Sequence, residues 1–154
     1  MHSWFECKVS FEKVMENGMQ KKVTEPYLVD ALSFTEAEAR IIEEIRPFIS
    51  GEFTVADIKR ARYSELFFNE QGDRFYKFKI YFITLDEKSG AEKKTAAQML
   101  AQASTLKEAI ATLEEGMKGT LADYTIASVT ETMLVDVFPF SVDENKTPKQ
   151  GEQQ

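Results

Sequence analysis

The sequence has few of the residues on which enzymes most often depend. It contains one cysteine and one histidine among 154 residues. A lone cysteine cannot form an internal disulfide, so nothing points to an oxidising compartment. The histidine, His2, lies at the N-terminus, which argues against Ser-His-Asp or Cys-His catalysis. Cys7 falls on the apolar side of a predicted strand, where we interpret it as a small buried hydrophobic residue. The sequence therefore predicts a non-enzymatic protein without a cofactor or a bound metal.

Long apolar runs and glycine-rich phosphate loops are also missing. No apolar stretch approaches the roughly 18 residues that a membrane helix requires, and the N-terminal residues lack the pattern of a signal peptide. Gly116 and Gly119 follow a predicted helix, so they end it rather than cradle a phosphate. The formal net charge of −7 disfavours duplex nucleic acid, which is bound by Lys and Arg. We therefore expect a cytoplasmic protein that binds neither membranes nor duplex nucleic acid.

The sequence does contain an internal repeat. Lys21-Lys22 recurs as Lys93-Lys94, a separation of 93 − 21 = 72 residues, and helix-capping boxes stand at Ser33 and Thr105. A repeat at a fixed separation indicates one structural unit used twice. The prediction is an α+β fold of tandem β-β-α-β units, with two helices packed on antiparallel or mixed sheet. The halves, at about 4–70 and 74–139, would form a single domain over 1–140, followed by a disordered polar tail at 141–154.

Each half is predicted to close with one long strand. These strands run from Phe53 to Phe68 and from Tyr124 to Phe138. The apolar phase of the first strand slips near Ala56-Asp57, which predicts a bulge there. Whether the halves share one sheet or form two is left open by the sequence.

One region is basic and aromatic although the chain is acidic overall. From Lys59 to Tyr81 there are six basic residues and three acidic ones. Lys and Arg pair with phosphate, and aromatic rings stack on a planar base. Lys77 and Lys79 share a strand face with Tyr81, but whether Arg60 or Arg62 joins them depends on the bulge. The candidate ligand-binding residues are Lys59, Arg60, Arg62, Tyr63, Lys77, Lys79 and Tyr81.

Two carboxylates form a further candidate pair. Glu65 and Asp136 correspond across the halves, since 136 − 65 = 71, and both lie late in the predicted long strands. Paired carboxylates can hold a cation or carry out acid–base chemistry. The alternative is that both face solvent beside Lys or Arg. Because no histidine or third carboxylate accompanies them, we favour the solvated interpretation.

Three functions compete on these observations. The first is a binding protein that captures a small anionic ligand of nucleotide type. The second is a protein–protein interaction module or inhibitor, which would use the same face or apolar edge positions such as Leu28 and Leu100. The third is a single-stranded nucleic-acid binder, which the net charge disfavours most. We also expect a homo-oligomer, because Trp4, Phe75 and Tyr81 lie on a sheet face that two helices cannot cover.

Four stretches of the chain resemble a family of short bacterial proteins known only as a domain of unknown function. They are GMQKKVTEPYLVDALSFTEAEARIIEE, FTVADIKRARYSELFF, YFITLDEKSGAEKKT and the closing SVTET with VDVFP. The resemblance runs from about Trp4 to Pro139. It implies no catalytic residues, and it implies an association with phages and mobile elements of gut anaerobes. That context favours a phage-associated sequestering protein or inhibitor over a metabolic enzyme.

Overall fold

The structure is a computed structural model that describes residues 2–140, so the predicted tail at 141–154 lies outside the described residues. Both halves contain two strands, a helix and two further strands, in that order. This order confirms the predicted α+β fold built from a repeated unit. The elements are β1 (Ser3–Val14), β2 (Gln20–Ala31), α1 (Phe34–Ile45), β3 (Phe53–Ala61), β4 (Glu65–Phe67), β5 (Arg74–Leu85), β6 (Glu92–Ala103), α2 (Leu106–Gly116), β7 (Asp123–Glu131) and β8 (Asp136–Phe138).

The strands form two sheets. Their orders are β3-β1-β2-β8 and β4-β6-β5-β7, with four strands in each. The chain divides accordingly into two compact units. The first unit consists of the residues up to Ala61 together with the segment that begins at Val137, and the second unit is Arg62–Asp136. Neither described helix has the length and apolar character needed to cross a bilayer.

The prediction of one continuous closing strand in each half is wrong. The strand that starts at Phe53 ends at Ala61, and β4 begins only at Glu65. The short β4 pairs in parallel with β6 of the second sheet, whereas β3 belongs to the first sheet. The second half repeats this break, because β7 lies in the second sheet and β8 lies next to β2 in the first. In both halves the strand is interrupted where the chain passes from one sheet to the other, and neither connection contains the Gly or Pro that would indicate the break.

The bulge predicted in β3 is confirmed. Lys8 lies opposite Asp57 and Val9 lies opposite Val55, so Ala56 is an extra residue on β3. Such an insertion changes the alternation, so that side chains beyond it face the opposite side from the one that simple counting predicts.

The second unit carries the same bulge at the equivalent position. Lys79 lies opposite Ser128 and Ile80 lies opposite Ile126, which leaves Ala127 as the extra residue on β7. The bulge is a shared feature of both halves, since 127 − 56 = 71.

Each helix begins at the predicted cap and covers one face of its sheet. The hydroxyls of Ser33 and Thr105 accept the backbone N–H of Glu36 and Glu108, both at 3.1 Å. Each glutamate carboxylate accepts the N–H of the residue before the cap, at 2.5 Å in α1 and 3.2 Å in α2. The fully buried core between α1 and its sheet includes Phe5, Cys7, Val9, Val29, Ile41 and Ile45. The core between α2 and its sheet includes Phe78, Ile80, Ala101, Ala109 and Leu113.

Several apolar side chains on the other sheet faces are buried as well. Leu28 and Leu100 alternate with helix-facing residues, yet they are 0% and 1% exposed. Phe75 is only 3% exposed. The expectation that Leu28 and Leu100 offer exposed positions for strand addition is therefore wrong, and Phe75 is not part of an exposed aromatic patch. Alternation along a strand tells which face a side chain takes but does not tell whether that face is covered.

Candidate anion-binding groove

A cavity of about 760 Å³ opens on the sheet of the second unit, largely on the face away from α2. Lys77 and Lys79 on this face alternate along β5 with Phe78 and Ile80, which belong to the core under α2. The volume lies within the range of small-molecule sites, about 300–1,000 Å³. We call this cavity the basic groove. It is lined by Arg62, Tyr63, Ser64, Lys77, Phe78, Lys79, Ala96, Ala97, Gln98, Ser128 and Thr130.

Two rows of polar side chains cross the floor of the basic groove. In one row, Lys79 on β5 lies opposite Gln98 on β6 and Ser128 on β7. In the other, Lys77 on β5 lies opposite Thr130 on β7. Directly opposed residues on antiparallel strands have Cα atoms about 4.5–5.5 Å apart. Each lysine therefore has a hydroxyl-bearing residue as its neighbour on the next strand.

One wall of the basic groove is the connection that precedes β4. The backbone N–H and the hydroxyl of Ser64 both donate to the carbonyl oxygen of Gln98, at 2.8 and 3.1 Å. These bonds fix the connection against β6 and so position Arg62 and the half-buried Tyr63 beside the floor. Ala96 contributes only a methyl group, which leaves the floor open in this part of the groove.

The charges around the basic groove are all of one sign. Arg62, Lys77 and Lys79 are exposed, and no acidic residue lines the cavity. Within residues 2–140, none of these three side chains takes part in an ion pair. Like charges gathered at one site repel one another, and a bound anion would relieve that repulsion.

The structure brings together four of the seven predicted ligand-binding residues. Arg62, Tyr63, Lys77 and Lys79 all line the basic groove. Tyr81 lies next to it on the same strand face, with its ring centroid 5.4 Å from the Nζ atom of Lys79. Tyr81 therefore contacts one of the groove's ammonium groups without lining the cavity itself.

The other two predicted residues, Lys59 and Arg60, belong to the first unit. The guanidinium of Arg60 lies 5.0 Å from the ring centroid of Phe5 and donates to the hydroxyl of Ser3 at 2.8 Å. Arg60 thus faces the helix side of its sheet. Lys59 faces the other side and lies opposite Glu6. The sequence left open whether Arg60 or Arg62 joins the lysines. In the structure, Arg62 lines the groove with them.

The polar floor residues Gln98, Ser128 and Thr130 were missed from the sequence. They carry no charge, so a search for basic and aromatic residues passes over them. Comparing the two halves supplies a signal. Ser128 stands where the first half has Asp57, since 128 − 57 = 71, and Thr130 stands where it has Lys59.

The first unit shows what this sheet face is like when its charges are balanced. There, Glu6 lies opposite Lys59 and Lys8 lies opposite Asp57. Opposite charges at directly opposed positions on neighbouring strands attract each other. At the equivalent positions of the second unit, Lys79 matches Lys8 but lies opposite Ser128 in place of Asp57. Lys77 replaces Glu6 and lies opposite Thr130 in place of Lys59. The basic groove is therefore a property of the second unit alone.

The carboxylate pair gains no structural support as a metal site. Glu65 begins β4 and Asp136 begins β8, which belong to different sheets. In the part of the chain that the structure describes, no three or more His, Cys, Asp and Glu side chains are grouped so that they could hold a metal ion.

One known protein family covers both halves of the repeat. Residues 3–140 match the family described as domain of unknown function DUF4494. The chain belongs to this family. The match confirms the resemblance seen in the four sequence stretches, and it spans both units of the fold. No curated protein matches the chain. The DUF4494 description specifies no activity, so a function has to be argued from the basic groove.

Proposed function

We propose that the protein binds a small anionic ligand of nucleotide type in the basic groove and does not turn it over. The observation that carries this proposal is the convergence of Arg62, Lys77 and Lys79 on a cavity of ligand size that contains no acidic side chain. In the described chain these cations have no ion-pair partner. A phosphate would supply the missing countercharge.

The other lining residues fit such a ligand. Arg and Lys form charge-assisted hydrogen bonds with phosphate oxygens, and the hydroxyls of Ser128 and Thr130 can donate to the same oxygens. Tyr63 also lines the groove, and a base could stack on its ring. The proposal thus places phosphate over β5 and β7 and the base near the wall.

The biological setting is part of the proposal. A protein that binds a nucleotide-type signal without chemistry would lower its free concentration. Such a sequestering role fits the phage and mobile-element context that the sequence resemblance implies, and it would operate in the cytoplasm.

Isothermal titration calorimetry with a panel of mono-, di- and cyclic nucleotides tests the proposal. The double variant Arg62→Ala with Lys79→Ala should lose about tenfold to a hundredfold in affinity for each charge-assisted bond removed. Recovery of the ligand unchanged after long incubation would support binding without turnover. No heat from any member of the panel, or equal binding by parent and double variant, would rule out the site.

The first unit supplies a matched control. Lys8 occupies the position equivalent to Lys79, since 79 − 8 = 71, but it lies opposite Asp57. Lys8→Ala removes the same charge from the same kind of strand position without touching the basic groove. Ligand affinity should therefore stay at the parental value in this variant.

Self-association, or association with another protein, is a second proposal. Leu121 is fully exposed, and Phe48 and Met133 are 77% and 83% exposed. Large apolar side chains left in water favour contacts between molecules. Sedimentation velocity at high micromolar concentration tests for a dimer, and a purely monomeric protein there would contradict self-association.

A further inference from the structure

We infer that the basic groove recognises two phosphates separated by one ribose, which is the chemistry of a linear or cyclic dinucleotide. The alternative is a nucleoside diphosphate, whose two phosphates are directly joined. This inference rests on the proposed function and specifies the class of ligand for the same site.

The floor of the basic groove presents the same pair of side chains twice along β5, a lysine and a hydroxyl residue. Lys77 and Lys79 are two residues apart on one strand face, so their Cα atoms are roughly 6.5–7 Å apart. Lys77 lies opposite Thr130, and Lys79 lies opposite Ser128. Each row therefore offers one ammonium and one hydroxyl. The groove contains two similar phosphate sites in succession.

Two such sites in succession require a ligand whose two phosphates are as far apart as the two rows. The phosphates of a diphosphate share one bridging oxygen, so both must crowd into one row or leave the second row empty. Phosphates on either side of a ribose are held apart by the sugar carbons, and an extended strand of nucleotides spaces them much as two residues of a β-strand space their side chains. A dinucleotide can therefore place one phosphate on each row.

The remaining cation and the aromatic residue of the wall lie apart from the two lysine rows. Arg62 and Tyr63 lie on the side of β6 that is away from β5, because their connection is bonded to Gln98 and leads into β4. They are thus displaced from the line of the two lysines, on the far side of β6. A base could stack on the Tyr63 ring while both phosphates stay on the lysine rows.

The first unit lacks the two-row arrangement. Glu6 occupies the position equivalent to Lys77, since 77 − 6 = 71. Only one lysine, Lys8, remains on that strand face, and it lies opposite Asp57. Two successive phosphate sites therefore exist only in the second unit, which makes the first unit an internal control for any variant.

The decisive experiment compares ligands of equal charge in which two phosphates are either separated by a ribose or joined directly. Nucleoside 3′,5′-bisphosphates, which separate the phosphates by a ribose but carry one base, are the control for the second base of a dinucleotide. The four 5′-phosphorylated homodinucleotides and the four matching nucleoside diphosphates all carry two phosphates and a charge of about −3 above the second phosphate pKa. Calorimetry should show the best dinucleotide binding at least about tenfold more tightly than the best diphosphate. Equal or tighter binding of a diphosphate would overturn the spacing inference and leave the proposed function standing. No binding by either set would overturn both.

Single substitutions test the two rows separately. Lys77→Gln and Lys79→Gln should each weaken dinucleotide binding by about tenfold or more. Each should weaken diphosphate binding less, because a diphosphate can use the row that remains. Lys8→Gln is the matched control and should change neither. Equal losses for both ligand types in both variants would contradict two separate rows. Thermal unfolding of each variant checks that the fold is intact; Lys77 and Lys79 are exposed and Lys8 is half-buried.

Discussion

On its helix, the first unit carries Arg40 where the second carries Thr112, since 112 − 40 = 72. The Arg40 side chain is only 14% exposed. It donates to the carbonyl oxygen of Asp30 on β2 and, at 3.5 Å, to that of Phe138 on β8. It also pairs with Glu44 one helical turn later, at 3.1 Å. One guanidinium thus joins α1 to two strands of the first sheet.

The second unit has no such link at the equivalent place. Thr112 and Gly116 line a cavity of about 600 Å³ between α2 and β4. Gly116 stands where the first unit has Glu44, and its backbone lies so close to Phe67 that a Cβ atom there would be 2.2 Å from the ring. The second unit thus has the Phe67 ring packed against Gly116 where the first unit has the Arg40–Glu44 ion pair.

Features present in both units are those that the repeated unit needs in order to fold. The caps, the bulges at Ala56 and Ala127, and the strand order recur in both units. The Arg40 link and the balanced charges on the sheet face occur only in the first. The shared features define the fold, and the unshared ones leave the second unit with two open cavities and an uncompensated basic surface.

Removing Arg40 should have the largest effect on stability. Arg40→Ala leaves Glu44 without its partner and two or more carbonyl groups without a donor, which should lower the free energy of unfolding by about 3 kcal/mol. Thr112→Ala should cost less than about 1 kcal/mol, because Thr112 borders a cavity. Urea denaturation of both variants measures the difference. Equal losses in the free energy of unfolding would show that Arg40 stabilises its unit no more than Thr112 does.

Restoring one charge pair of the first unit should weaken anion binding in the basic groove. Ser128→Asp places a carboxylate opposite Lys79, as Asp57 lies opposite Lys8. Anion affinity should fall by about tenfold to a hundredfold, or roughly 1.4–2.7 kcal/mol, because the carboxylate both pairs with the lysine and repels phosphate. Calorimetry checks the fall. Asp57→Ser is the reciprocal control and should leave affinity unchanged, and an unaffected Ser128→Asp variant would contradict the assignment.

Alkaline pH should weaken the protein through Cys7. Burial raises the pKa of this thiol from 9.0 to about 12, and the carboxylates of Glu6 and Asp57 act in the same direction. Because the folded pKa lies above the unfolded one, the stabilising contribution is complete below pH 9 and declines as the pH rises towards 12. At pH 10 the loss should be about 1.4 kcal/mol.

A variant separates this contribution from other groups that titrate in the same range. Phe78 occupies the equivalent position of the second unit, so only the first unit contains such a thiol. Urea denaturation of the parent and of Cys7→Ala, between pH 7 and pH 10.5, should give a steeper decline for the parent. Parallel declines would show that the thiol ionises freely in the folded state.

Much of the fold could be predicted from local chemistry. The caps at Ser33 and Thr105 and the bulge at Ala56 are local features, since each depends on residues adjacent in sequence. The breaks after Ala61 and Glu131 could not be predicted, because the strand-forming residues continue and the cause is a pairing with a different sheet. Tertiary pairing of this kind leaves no mark in the segment itself.

The candidate site was predictable only in part. Alternation along β5 placed Lys77 and Lys79 on one face, and it did so because β5 has no extra residue. Arg60 was misleading because its charge resembles that of Arg62, whereas its side chain packs over Phe5. Ser128 stands out as a site residue only when the two halves are aligned with their bulges at the same position, because it then replaces Asp57.

The short strands β4 and β8 have a consequence for the ancestry of the chain. Each follows a strand of one sheet and completes the other. A polypeptide equal to one half would therefore end in a strand that has no place in its own sheet. Two copies of such a polypeptide could satisfy each other by trading these strands, as in a domain-swapped dimer. Fusion of the two genes would make the exchange intramolecular, and the surfaces of the two copies could then diverge.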